Sequence, residues 1–167
     1  MRNLAFLAPL AAVLAVAGAS HAQPSSSAPE VTVSIGGDLI DDVDDLGQRE
    51  VFRQIDQLET AVRRELARSG ALQGAQIYLV LTDLKPNRPT FQQAIDRPGL
   101  STFDSISIGG AEIEGEVITA DGQRLPVRYS RFSTSIRDVY GYGVWQDADR
   151  AFDRLAVNLS QGRLVSR

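Results

Sequence analysis

Residues 106–132 read ISIGGAEIEGEVITADGQRLPVRYSRF, and their alternation decides the kind of fold. Ala111, Ile113, Gly115 and Val117 alternate with Glu112, Glu114 and Glu116. Successive strand residues point to opposite faces of a sheet, so one face here is apolar and the other acidic. Before the glycine pair the phase is reversed, with Ile106 and Ile108 at even positions. A β-bulge at Gly109-Gly110 accounts for both the reversal and the glycines. The turn is Ala120-Asp121-Gly122. A three-residue loop with glycine in the left-handed position pairs Thr119 with Gln123. That register sets Val117 opposite Leu125, Ile113 opposite Tyr129 and Glu114 opposite Arg128. A two-residue Asp-Gly turn would instead put Glu116 beside Val127 on one face, so the longer loop is preferred.

Upstream, Gln76 to Thr82 (QIYLVLT) is apolar on both faces and predicts a central strand covered on both sides. Val31, Val33 and Ile35 alternate with Glu30, Thr32 and Ser34, which predicts a half-buried strand ending at Gly36-Gly37. From Gln48 to Arg68 the period is helical. Val51, Ile55, Leu58, Val62 and Leu66, widened by Phe52, oppose Arg53, Gln57, Thr60, Arg64 and Arg68. Gly70 suits the C-cap. Trp145, Ala148, Phe152, Leu155 and Leu159 mark a second amphipathic helix ending at Gly162, with Asp147, Asp149, Arg150, Asp153 and Arg154 on its polar side. Three prolines between Lys85 and Leu100 exclude a regular strand or long helix there, and Thr90 is placed to cap a short helical turn. The expected fold is α+β, in the order β-α-β-β-β-α. Both helices pack on one face of a four-stranded mixed or mainly antiparallel sheet.

The N-terminus has the three parts of a secretory signal: Arg2, the apolar run Leu4 to Gly18, and the small-x-small site Ser20-His21-Ala22. Cleavage is expected after Ala22. The run is shorter than the roughly 20 apolar residues of a membrane span. Residues 23–29 (QPSSSAP) read as a flexible linker, 30–162 as a single domain and 163–167 as a tail. The mature chain is expected in the periplasm, with no transmembrane span. Its charge moves from −4 to −5 on losing Arg2, which argues against nucleic acid as a partner. The single histidine, His21, leaves with the signal, and the chain has no cysteine. The mature protein therefore lacks the commonest general base and the most reactive nucleophile.

The remaining polar clusters carry no chemistry that the spacing supports. Asp38 to Gly47 (DLIDDVDDLG) holds five aspartates but lacks the alternating ligands of a calcium loop; it reads as a solvated acidic turn leading into the first helix. Glu112, Glu114 and Glu116 lie on one strand face, whereas glycosidase carboxylates flank a cleft from separate elements. No catalytic, cofactor-binding or metal-binding residues are assigned. The loop Lys85-Pro86-Asn87-Arg88-Pro89-Thr90 is stiffened by proline, which lowers the entropy cost of presenting Asn87 and Arg88. Tyr140 and Tyr142 supply amphipathic contact area. These four residues form the candidate partner surface; the competing reading docks both loops on the domain's own core.

Several stretches together resemble a family of small exported envelope proteins of unknown function from Gram-negative bacteria. They are Pro86 to Thr90 (PNRPT), Pro98-Gly99-Leu100, Ile108 to Ala111 with Glu114, and Trp145 to Arg154 (WQDADRAFDR). The resemblance covers most of residues 30–162. Some members are outer-membrane lipoproteins, which this chain, lacking cysteine, does not match. The resemblance implies an envelope location and an α+β fold, and brings no catalytic residues or cofactor. The function expected is a non-catalytic periplasmic binding or accessory domain that contacts an envelope protein or component. The alternatives are a carboxylate-only hydrolase of an envelope glycan and a structural homo-oligomer.

Overall fold

A computed structural model describes residues 27–139 and 143–166. The expected signal and most of the linker, and the pair Tyr140 and Tyr142, lie outside the described residues. In chain order the elements are β1 (Glu30–Ile35), α1 (Leu39–Leu46), α2 (Gln48–Ser69), β2 (Gln76–Lys85) and α3 (Phe91–Asp96). Then follow β3 (Gly110–Ile118), β4 (Arg124–Phe132), a 3-10 turn at Ile136–Asp138, α4 (Gln146–Ser160) and β5 (Val165–Ser166). The sheet is mixed, in the order β1-β2-β3-β4-β5. β1 runs parallel to β2, β2 to β4 are antiparallel neighbours, and β5 runs parallel to β4. The four long strands form the expected α+β sheet, and the tail residues Val165 and Ser166 add a short fifth strand. The end of the linker is also tied down, since Gly74 N donates to Ser27 O at 2.8 Å.

The β3–β4 hairpin has the register that its alternation requires. Val117 faces Leu125, Ile113 faces Tyr129 and Glu114 faces Arg128. Thr119 N donates to Gln123 O at 2.9 Å and Gly122 takes φ 84°, a left-handed conformation that favours glycine. α2 and α4 lie side by side on the face that presents Ala111, Ile113, Val117 and Val127. Their stripes close a core around Leu58, Val62, Leu66, Phe152, Leu155 and Leu159, all essentially buried. Each such side chain contributes about 2 kcal/mol by leaving water.

Several local expectations change. The bulge is in β2, at Thr82, where the register steps from Leu81–Ile113 to Asp83–Glu112. Ile106 and Ile108 precede β3 and are exposed, so their phase belongs to no strand. The glycine pair answers crowding instead. A Cβ on Gly109 would lie 2.6 Å from the Asn87 amide, and one on Gly110 would lie 2.2 Å from Arg131 O. β2 is buried on its helix side only, at Ile77, Leu79, Leu81 and Leu84, while Tyr78 is 41% exposed on the open face. The acidic segment is a helix of its own, α1, because Leu39 and Leu46 reach the core. Phe52 points away from the α2 stripe and is 55% exposed; Gln54 is buried in its place.

β1 is an edge. Glu30 N and Gly36 N donate to Ala75 O and Leu81 O of the β2 side, so Val31, Val33 and Ile35 direct their backbone groups outward. Arg63 Nη2 caps one of them, donating to Val31 O at 2.6 Å.

Candidate functional site

The PNRPT loop leaves β2 and turns inward. Asn87 is 1% exposed and Arg88 is 5% exposed. Asn87 Nδ2 donates to Asp147 Oδ2 at 2.6 Å, and Asp147 N donates to Asn87 Oδ1 at 2.8 Å. The Asn87 backbone is held as well: its N–H donates to Val144 O (2.7 Å) and its carbonyl accepts from Ser107 N (2.8 Å). Asp147 accepts further from Ser133 Oγ at 2.7 Å and pairs with Arg150 at 3.2 Å. Arg88 donates to Phe103 O. Thr90 and Gln93 complete a capping box at α3. Stretches quoted for the resemblance, PNRPT, the glycines at 109–110 and WQDADRAFDR, thus meet in one buried clasp. Every polar group named in it has a partner, as a buried network requires.

This geometry corrects the candidate partner surface. Asn87 and Arg88 are not presented to a partner, because their donors and acceptors are spent on the domain's own backbone and on Asp147. Tyr140 and Tyr142 lie outside the described residues. The exposed apolar side chains lie after the loop, Phe91 and Ile95 on α3 and Phe103 beyond it, the last 85% exposed.

The open sheet face carries Glu112, Glu114 and Glu116. Arg124 pairs with Glu116 at 2.7 Å, and Arg128 lies 4.0 Å from Glu114. Glu114 and Glu116 therefore meet arginines across the hairpin and Glu112 faces Ser130, with no second carboxylate opposite the row on β4. The α1 aspartates are similarly engaged at Asp45, which accepts from Gln93 Nε2 at 2.7 Å and pairs with Arg97. Among the described residues no group of three or more acids has the arrangement to hold a metal ion.

A basic cleft lies between β4 and α4. Its larger lobe, about 460 Å³, is lined by Tyr129, Arg131, Arg154, Asn158 and Arg163; a second lobe of about 400 Å³ shares Arg131 and Arg154 and adds Arg150. Tyr129 and Arg131 share the helix side of β4, because they are two residues apart. Arg150 and Arg154 lie one turn apart on α4. Arg163 Nη2 donates to Asn158 Oδ1 at 2.9 Å, a neutral acceptor. Neither Arg131 nor Arg154 pairs with a carboxylate among the described residues; Asp153 at the rim is paired with Arg64 at 3.1 Å. Burial pushes the Tyr129 phenol up, against the pull of Arg131 and Arg154. Unpaired guanidiniums on facing elements are a recognition surface for carboxylate or phosphate oxygens.

A smaller pocket of about 370 Å³ lies between α2 and the start of α4, lined by Arg53, Gln54, Gln57, Trp145 and Asp149 among others. Gln54 Oε1 is fully buried and has no hydrogen-bond partner, an omission that costs about 1–3 kcal/mol. Burial raises the Asp149 carboxyl above the usual aspartate range, and the nearby Asp153 charge adds to it. A carboxyl raised by folding favours the folded state at low pH and loses that contribution as pH climbs through its raised pKa. Asp149→Asn is therefore expected to match the wild type in acid and to melt higher at neutral pH. Thermal melts of the two proteins across that range check it.

Sequence reasoning missed three features here. Asp147 was placed on the polar side of its helix, yet Asn87 buries it. Arg131, Arg154 and Arg163 come from separate elements and share no local pattern. Gln54 was legible, since it lies three residues after Val51 and four before Leu58, within an apolar stripe. Neither a protein-family model nor a curated protein matches the chain.

Proposed function

We propose that the chain is an exported, non-catalytic binding domain of the cell envelope, which holds an anionic group of an envelope component in the β4–α4 cleft. One observation carries this reading: Arg131 and Arg154 line both lobes with no carboxylate partner among the described residues, in a chain whose net charge is −4. Two guanidiniums left unneutralised while the surrounding acids are paired have a ready use in binding an anion. The chemistry suits holding a ligand more than transforming one, because arginine stays protonated and is a poor proton shuttle. The leader-like N-terminus and the resemblance to small Gram-negative envelope proteins support a periplasmic location.

The test is titration of the full chain with inorganic pyrophosphate and with citrate, read as a shift in melting temperature and by calorimetry. Saturable stabilisation is expected from at least one anion, weakened about tenfold or more in Arg131→Gln and in Arg154→Gln. Raising salt should weaken it too, as counter-ions screen the cleft. A response to neither anion, or an equal response in the variants, overturns the reading. Turnover of an envelope glycan by the purified protein would favour the carboxylate hydrolase instead.

A second reading, a structural homo-oligomer, draws on the outward backbone groups of β1, which are a template for strand pairing. It requires a dimer in sedimentation that Val33→Pro, which removes an outward N–H, dissociates.

A further inference from the structure

The outer edge of β4 is open beside the arginine cleft. Ser133 N donates to Gly109 O and Thr119 N to Gln123 O, so the odd-numbered residues of β4 bond to β3. The even-numbered residues turn their backbone groups outward, as Arg128 does in donating its N–H to Leu164 O at 2.9 Å. Pro126 has no N–H to offer, a usual protection of an edge. β5 pairs only with Arg128 and Tyr129. The N–H and C=O of Phe132 are left without a partner among the described residues. Ser130 and Phe132 are part-exposed and line the larger lobe of the cleft with Arg131, Arg154 and Arg163. The Phe132 ring does not cover this edge; it lies near Gly110 of β3, with Lys85 Nζ of β2 at 5.2 Å from its centre.

We infer that this edge takes up an extended acidic segment of another protein as an added strand, an inference that rests on the anion-binding reading of the cleft. Backbone groups open to a strand adjoin guanidiniums open to an anion. Side chains of a strand alternate between faces. The residue level with Arg131 therefore points to the helix side, where Arg154 stands, and it is the one that carries the carboxylate. Its neighbours stand on the open face beside the Ser130 and Phe132 side chains, a setting that favours β-branched residues. A free phosphate or a lipid headgroup meets the same arginines but makes no use of the Phe132 backbone. The open edge from Ser130 to Phe132 spans about 10 Å, enough for a segment of roughly three to five residues.

The experiment titrates the full chain with the peptide acetyl-Thr-Glu-Val-Glu-Val-Glu-Thr-amide by calorimetry, and follows hydrogen exchange of the Phe132 amide by nuclear magnetic resonance. One control peptide has lysine for each glutamate. Two others carry methyl groups on the valine or on the glutamate nitrogens, which block antiparallel and parallel pairing respectively. Saturable binding of the acidic peptide is expected, with exchange at Phe132 slowed about tenfold or more. The lysine peptide, at least one methylated peptide and the Arg131→Gln variant should each weaken binding about tenfold or more, with thermal melts confirming that the variant is folded. Equal binding of all the methylated and unmethylated peptides overturns the inference, as does unchanged exchange at Phe132. Binding of pyrophosphate or citrate without binding of the peptide removes the added strand and leaves the anion cleft standing. Binding of neither the peptide nor the small anions removes both.

Discussion

Val117→Asp is expected to unfold the domain, while its neighbour Glu116→Lys leaves the melting temperature nearly unchanged. Val117 has no exposed surface and sits on the helix side of β3. The substitution forfeits about 2 kcal/mol of apolar burial. It also buries a carboxyl with no partner, for about 2–3 kcal/mol more even after the group takes up a proton. A loss of about 4–5 kcal/mol consumes most of the stability of an ordinary domain, about 5–15 kcal/mol in total. Glu116 stands on the open face beside Arg124, where an exposed ion pair contributes about 1 kcal/mol or less. Denaturation followed by circular dichroism measures both. Similar midpoints for the two variants would refute the assignment of faces.

Asn87→Asp is the second substitution with a large expected effect, and it changes a single atom type. It replaces the amide that donates to Asp147 Oδ2 at 2.6 Å with a second buried carboxylate. Two such groups cannot both ionise at that separation, so one is forced to hold a proton well above the usual range. The cost at neutral pH is about 3 kcal/mol or more, by analogy with an uncompensated buried charge. For a domain of this size that is a fall of about 10 °C in melting temperature. The sign of the pH dependence follows from the raised carboxyl. Its proton supplies the donor that the amide supplied, so the deficit is smallest in acid and grows as pH climbs through the raised pKa. Melts of variant and wild type across that range give the difference directly. A deficit that does not change with pH would show that Asp147 is not the group Asn87 answers to.

The parts of the fold that were legible in the sequence depend on neighbours. The hairpin register needs only the alternation of side chains and a turn that places glycine at Gly122, and it formed as read. α2 and α4 were legible because their apolar residues repeat at three and four. α1 was hidden by its aspartates, although Leu39, Val43 and Leu46 carry the same repeat and pack against the core. The clasp was illegible because burial of Asp147 is decided by Asn87, sixty residues away in the chain. Prolines at 86 and 89 mark the loop between β2 and α3, but a break in the chain's regularity says nothing of direction, and this loop turns inward. The arginine cleft joins a strand end, a helix and the segment after it, so only the assembled sheet and α4 bring it together.

In this sheet each strand lies beside the one that precedes it in the chain. Nothing has to be threaded between two strands already in place. A chain emerging from the ribosome amino end first can lay the planks in the order they arrive. Residues 165–166 then go on at the far side, once α4 has crossed the hairpin.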